Sequence, residues 1–333
     1  MFPDFLGVGA QKAGTTWLYR NLQAHPEIWM PPIKELHYFD EKTRLEGGLM
    51  SRLRGDHPAD VRWRRQFRAR FRHPLERLTS RDLLWDLKYF FRMPGDGWYA
   101  SLFEPGNGKV KGEMTPDYAI LEKKGVARVH ELMPEAKLIF MMRNPVERPW
   151  SVTTMGLRIR GRSMEDMTIR NFRRQFDKGR VRRMTDYLRT LDTWSAFYPK
   201  ERIFVGFLED VHFFPEETLR SLYRFLGIDP SAARRAFTQK IHPGSVSEMP
   251  MRLAIYLARS YLEQTELLEE RFGGYASFWR LCAEQLAQRP RNKRKTGHIR
   301  YPLWESELWE LWEGARRISP QSGVLSYCRR SRR

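Results

Sequence analysis

Lys12 stands inside a loop bounded by two glycines: Phe5-Leu-Gly-Val-Gly9-Ala-Gln11-Lys12-Ala13-Gly14-Thr15-Thr16-Trp17. The apolar residues before the loop read as a short buried strand, and those after Gly14 open a helix. Gly9 and Gly14 let the backbone turn tightly, so that N–H groups point into the loop. A helix starting at Thr15 adds its positive end. The result is an anion cradle, best matched by phosphate. In the ATP-binding pattern G-x-x-x-x-G-K-[ST] the lysine follows the second glycine and the hydroxyl holds Mg²⁺. Here the four-residue gap is kept, but Thr15 takes the lysine position and the lysine lies inside the loop. The pattern keeps the cradle, re-aims the cation, and predicts phosphate binding without the ATP–Mg²⁺ arrangement. Taken alone, the loop also fits a glycine-rich turn carrying a solvated lysine.

A second basic position weighs against that plainer reading. Lys137 to Met142 is an apolar run of buried-strand type, and it ends in Arg143. A metal-dependent phosphoryl-transfer enzyme often places an aspartate there to help hold Mg²⁺. Ser151 follows eight residues later, about two turns into the next helix. A guanidinium at a strand end and a hydroxyl on the next helix suit another phosphate. The alternative for Arg143 is a capping or salt-bridging role. Two separate phosphate holders with no evident metal ligand match a nucleotide phosphorylated at both ends of its ribose. Glu35 and His37 form a third pair. They share a face if Lys34 to Asp40 is extended, so two groups able to take a proton would project together. On residue types alone, a pair of solvated edge side chains is the favoured reading.

The elements that must position these residues alternate strand and helix. Thr15–Ala24, Lys124–Met133, Ser151 to about Leu157, Asp186–Phe197 and Pro215–Leu226 read as helices. Lys109–Glu113, Lys137–Met142 and Arg202–Phe207 read as strands. This rhythm predicts an α/β fold with a central parallel sheet and ligands at the strand C-terminal ends. Residues 1–230 form the expected core. Residues 41–97 form an insertion with two amphipathic helices. Val61–Arg72 carries arginine at 62, 64, 65, 68, 70 and 72, with Trp63, Phe67 and Phe71 on one face. Ser80–Arg92 has Leu83, Leu84, Leu87 and Phe90–Phe91 as its expected apolar stripe. Residues 231–333 read as a helical extension packed on the core, with helices at 251–272, 276–288 and 304–316.

Composition narrows the class. Lys and Arg number 59 against 40 Asp and Glu, a net charge of +19 that favours anionic partners. It does not by itself choose among nucleotides, sulfated or carboxylated glycans, nucleic acid and membrane surfaces. Two cysteines supply neither a disulfide framework nor a metal cluster. No run approaches the roughly 20 apolar residues of a membrane span. Taking the sequence as the whole chain, no leader precedes the first strand, and the expected location is the cytoplasm.

At this point a family resemblance becomes specific. Gln11-Lys12-Ala13-Gly14-Thr15-Thr16-Trp17-Leu18 resembles the 5′-phosphosulfate loop of sulfotransferases that use 3′-phosphoadenosine-5′-phosphosulfate (PAPS). Arg143 to Ser151 resembles their 3′-phosphate motif. Lys34-Glu35-Leu36-His37-Tyr38-Phe39-Asp40 resembles the glutamate segment of the glycosaminoglycan and bacterial branch. Arg202 to Gly227 is similar to the family's late strand and helix. The resemblance covers about residues 4 to 228, and several motifs in order carry more weight than any one. It implies a P-loop-kinase-like α/β fold and transfer of a sulfuryl group from PAPS to a hydroxyl or amine, with no metal. By position, Lys12, Thr15 and Thr16 hold the 5′-phosphosulfate, with Gln11, Ala13, Gly14 and Trp17 in the same loop. Arg143 and Ser151 hold the 3′-phosphate. Glu35 matches the catalytic base, His37 its support, and Lys12 also the residue that stabilises the leaving phosphate. One departure is plain: glycosaminoglycan-type members carry lysine where this chain has Met114, between Glu113 and Thr115. The expected acceptor is a glycan or small molecule, with no nucleic acid partner and no membrane span. A P-loop-class small-molecule kinase and a basic polyanion-binding protein are the rival readings.

Overall fold

The computed structural model describes residues 1–40, 48–72, 80–162, 168–176, 179–233, 247–290 and 297–325. In chain order the elements begin with β1 (Phe5–Gly9), α1 (Thr15–Ala24) and β2 (Ile28–Trp29). The helices α2 (Gly48–Arg54), α3 (Pro58–Phe71), α4 (Ser80–Phe91) and α5 (Asp96–Ser101) follow. Then come β3 (Val110–Met114), α6 (Lys123–Leu132), β4 (Lys137–Met142), α7 (Glu147–Ile159), α8 (Ile169–Phe176), α9 (Gly179–Thr185) and α10 (Tyr187–Ser195). β5 (Ile203–Phe207), α11 (Leu208–Phe213) and α12 (Pro215–Leu226) follow. Last are β6 (Glu248–Pro250), α13 (Met251–Phe272), α14 (Tyr275–Gln288), β7 (His298–Arg300), α15 (Glu307–Leu311) and β8 (Gly323–Val324).

The main sheet runs β2-β3-β1-β4-β5-β8. Its pairings are parallel except that of β5 with β8, which is antiparallel. β1 lies between β3 and β4, with Phe5 opposite Gly112 on one side and Lys137 on the other. Every residue of β1 and of β5 is buried. That explains why both read as short apolar runs without alternation: helices cover both faces of a parallel sheet. The parallel strands β1 to β5 end toward one side, where the Lys12 loop leaves β1 and Arg143 leaves β4.

The α/β reading is therefore met, and the helix limits at Thr15–Ala24, Pro215–Leu226 and Met251–Phe272 agree with the structure. Three local expectations are corrected. Lys34 to Asp40 is not a strand. Glu35 and His37 both adopt positive φ, 68° and 57°, so the segment coils where an extended edge was expected. In α4 the inward side chains are Trp85, Tyr89 and Phe90, whereas Leu83, Leu84, Leu87 and Phe91 face out. Of the expected stripe only Phe90 is buried: Trp85 and Tyr89 offer a second apolar face across the helix from the leucines, and packing selects that one. The expected helix at 304–316 is α15 between two 3-10 turns, Leu303–Glu305 and Glu313–Arg317. β6, β7 and β8 are too short to leave a periodic signal. The basic tail at 329–333 and most of the segment 289–295 lie outside the described residues.

Candidate active site

The loop between β1 and α1 is shaped by two residues with positive φ, Lys12 at 71° and Gly14 at 87°. Gly14 caps α1 in the left-handed region, which a residue without Cβ adopts at no steric cost. Gly9 serves a different need. A Cβ there would stand 2.6 Å from the Phe140 ring and 2.8 Å from Ala119, so its smallness lets β1 sit close to its neighbours. Ala13, Thr15 and Trp17 are buried. The amides of the first helical turn have no carbonyl partner within α1. Gln11, Lys12 and Thr16 are half-buried at the mouth.

Lys12 Nζ lies 3.7 Å from Met155 Sδ on α7. Its pKa is lowered to about 8, by burial first and then by the positive charges of Arg143, Arg158 and Lys34. Four cationic side chains thus converge on one loop, which favours an anion among them. Arg143 joins the same place from the end of β4. It is buried, and its Nε donates to Glu147 Oε2 at 3.1 Å, its Nη2 to the Tyr301 hydroxyl at 2.6 Å and its Nη1 to the Lys12 carbonyl at 3.4 Å. Burial alone would disfavour the guanidinium charge, but Tyr301 and Glu147 outweigh it and raise the pKa further. Ser151 is buried on α7, within reach of the same Tyr301 hydroxyl. The two basic positions singled out in the sequence are therefore parts of one continuous site.

Tyr301 was not expected. It comes from the segment after β7, 158 residues from Arg143, and its ring lies 5.1 Å from the Arg143 guanidinium carbon. Glu147 Oε1 accepts the Leu303 N–H, so the same segment is tied down twice. Nothing in the sequence pattern pairs positions so distant.

The third pair meets through left-handed turns. Glu35 Oε1 accepts from Lys34 Nζ at 2.6 Å, and Oε2 lies 3.7 Å from His37 Nε2. Burial would push the Glu35 carboxyl up, but the hydrogen bonds and charges of His37 and Lys34 bring it down to about 2. His37 is buried, against the expectation of an exposed edge. Its Nδ1 is 2.7 Å from Asp40 Oδ2 and 3.7 Å from Asp117 Oδ2. Burial lowers its pKa, yet Asp40 and Glu35 raise it to about 10, so the ring is an imidazolium at neutral pH. Arg180 on α9 pairs with Asp117 at 2.8 Å. His37, Asp40 and Asp117 have ligand atoms within 4.8 Å of one another, a grouping in which the His37 proton and Arg180 already balance the two carboxylates.

This segment is fixed from below. The Tyr38 N–H donates to the Tyr118 hydroxyl at 3.1 Å, which donates to Glu113 Oε1 at 2.9 Å. Tyr99 and Thr115 also donate to Glu113, at 2.6 and 2.8 Å. The Tyr38 ring stacks on Tyr99 at 4.5 Å. Glu113 is fully buried, and burial raises its pKa despite these donors. Met114 is buried in the core beside β1; a Cβ on Gly7 would fall 2.0 Å from its sulfur. Position 114 thus serves packing here, and the cations near the Glu35–His37 pair come from elsewhere: Lys34, Arg180, and Arg62 of α3, whose charge reaches His37.

A sequence model of the sulfotransferase family matches residues 3–232. Carbohydrate sulfotransferase 15 of Rattus norvegicus is 24% identical over 289 residues, which is 74% of this chain and 48% of that protein. The Homo sapiens protein of the same name is 23% identical over 282 residues, with the same shares. The chain spans about half the length of these curated relatives. Among solved structures, a sulfotransferase from Alicyclobacillus acidocaldarius has a TM-score of 0.55 and 23% identity, covering 81% of this chain and 95% of its own. That likeness shows a shared fold.

Proposed function

We propose, for a chain that belongs to the sulfotransferase family, that it moves the sulfuryl group of PAPS onto a hydroxyl of an anionic carbohydrate. The observation that carries this reading is the convergence of Lys12, Arg143 and Ser151 on one site with two anion holders. The residues fit the co-substrate. Lys12, Thr15, Thr16 and the amides opening α1 would hold its 5′-phosphosulfate, and Arg143 with Ser151 and Tyr301 its 3′-phosphate. PAPS supplies a sulfuryl group joined to a good leaving phosphate.

The protein's own groups supply the rest. Glu35, ionised at neutral pH, accepts the acceptor's hydroxyl proton as that oxygen bonds to sulfur. The sulfur–oxygen bond to the 5′-phosphate breaks in line, and adenosine 3′,5′-bisphosphate leaves with the electron pair. Lys12 and the loop amides stabilise the charge that develops on the bridging oxygen. His37, held by Asp40, sets the Glu35 carboxylate in place. Its raised pKa argues against a role as the base, since the ring already carries its proton. Arg62, Arg180 and Lys34 would attract an acceptor bearing carboxylate or sulfate. The carbohydrate part of the reading rests on the named activity of the relatives, and the anionic part on these cations. Incubation with labelled PAPS and a panel of neutral and acidic glycans, with and without EDTA, tests it. Label transfer to acidic glycans that EDTA leaves unchanged is expected. Phosphate transfer from ATP that requires Mg²⁺, with no transfer from PAPS, would refute it.

A further inference from the structure

The outward side of α4 is apolar. Trp85, Tyr89 and Phe90 fill its inner side, whereas Leu83, Leu84, Leu87 and Phe91 are 39%, 60%, 42% and 52% exposed. Their spacing places them in one row along the helix. An outward helical row in water is ordinarily polar, and clustered exposed carbon marks a surface used for docking. α3 lies alongside, with Phe67 5.3 Å from Phe90 and 6.0 Å from Phe91. The outward row of α3 holds Arg65, Arg68 and Arg72, all exposed and spaced by three and four residues.

We propose that the α3–α4 face docks on an anionic lipid bilayer. The α4 row enters the boundary between headgroups and acyl chains, and the α3 arginines meet lipid phosphates and carboxylates. This occupant uses both rows together. A soluble polyanion would engage the arginines and leave the leucines in water. A protein partner would find no hydrogen-bonding side chain within the apolar row to set a register. A second copy would bring two chains of net charge +19 together. A bilayer surface offers negative charge outside and hydrocarbon just beneath, the combination that in-plane amphipathic helices bind, and arginine stems can lie along carbon while the heads stay in the polar layer. None of the described helices is long and apolar enough to cross a membrane.

Vesicle flotation of the full chain tests this without reference to catalysis. The probes are vesicles of phosphatidylcholine alone and of phosphatidylcholine with phosphatidylserine. One variant carries Leu84→Gln, Leu87→Gln and Phe91→Gln, and another Arg65→Gln, Arg68→Gln and Arg72→Gln. All six positions are exposed, and thermal melts verify that both variants fold. The wild type is expected to float with the phosphatidylserine vesicles and not with phosphatidylcholine alone, and each variant to lower the partition by about tenfold or more. No flotation of the wild type overturns the proposal. So does flotation that the leucine and phenylalanine changes leave intact, which would mean charge binding only. So does a dimer, seen by sedimentation, that those same changes dissolve.

Discussion

Lys12 is a half-buried ammonium set among the positive charges of Arg143, Arg158 and Lys34. Removing it as Lys12→Ala should cut turnover by about 10²–10³ and weaken binding of adenosine 3′,5′-bisphosphate less than Arg143→Ala does. Steady-state rates paired with calorimetry separate the two effects, and near wild-type turnover would remove Lys12 from its role. Its pKa of about 8 gives a pH dependence with a definite sign. Below pH 8 the ammonium is present and the bisphosphate binds fully. As pH rises through 8 the free protein loses that proton, so affinity falls and binding takes one up. Lys12→Arg should flatten this decline, which a calorimetric pH series would detect. Glu35 behaves oppositely. Its carboxyl, held near 2, stays ionised across the working range, so the acid limb of the rate profile belongs below pH 4. Glu35→Gln should lower turnover by about 10²–10⁴ with little change in nucleotide affinity. A fully active Glu35→Gln enzyme would shift the base to His37, despite its proton.

At the scale of elements, the site depends on a segment far from the motifs. Tyr301 after β7 accepts the Arg143 hydrogen bond and lies by Ser151. Tyr301→Phe should weaken bisphosphate binding by about tenfold, the worth of one hydrogen bond to a charged group, while leaving kcat with saturating nucleotide nearly unchanged. An equal loss of kcat would show that Tyr301 acts on the reacting atoms. β1, β4 and β5 were legible because buried parallel strands are short apolar runs, and α12 because Pro215 opens it and Gly227, with φ 82°, ends it. The Lys12 loop and Arg143 were legible because glycine spacing and strand ends are local signals. The contacts of Tyr301 and β8 were not, since pairing at long range leaves no trace in a single sequence. The Lys34–Asp40 turn was misread because Leu36 and Tyr38 alternate with polar residues as in a strand. A tertiary tie from Tyr118 and the local contact of His37 with Asp40 hold the coiled path instead. Asp40 itself lay in plain view three residues after His37, and its role follows from that close contact.

For the whole molecule, the proposed reaction would let a net charge of +19 and the cations near Glu35 and His37 act in both acceptor capture and nucleotide binding. Rates with an acidic acceptor should fall as salt is raised through the range where the Debye length shrinks from about 10 Å to 3 Å, and rates with a neutral acceptor should fall much less. The β-loop-α frame brings Lys12 and Arg143 together at adjacent strand ends, β1 beside β4, and all further chemistry presupposes that pairing. Isothermal titration of the protein with adenosine 3′,5′-bisphosphate, set beside ATP with Mg²⁺, tests it most directly. The account predicts metal-independent binding of the bisphosphate that Lys12→Ala weakens and Arg143→Ala nearly abolishes. Tight binding of ATP with Mg²⁺ and no heat from the bisphosphate would contradict it.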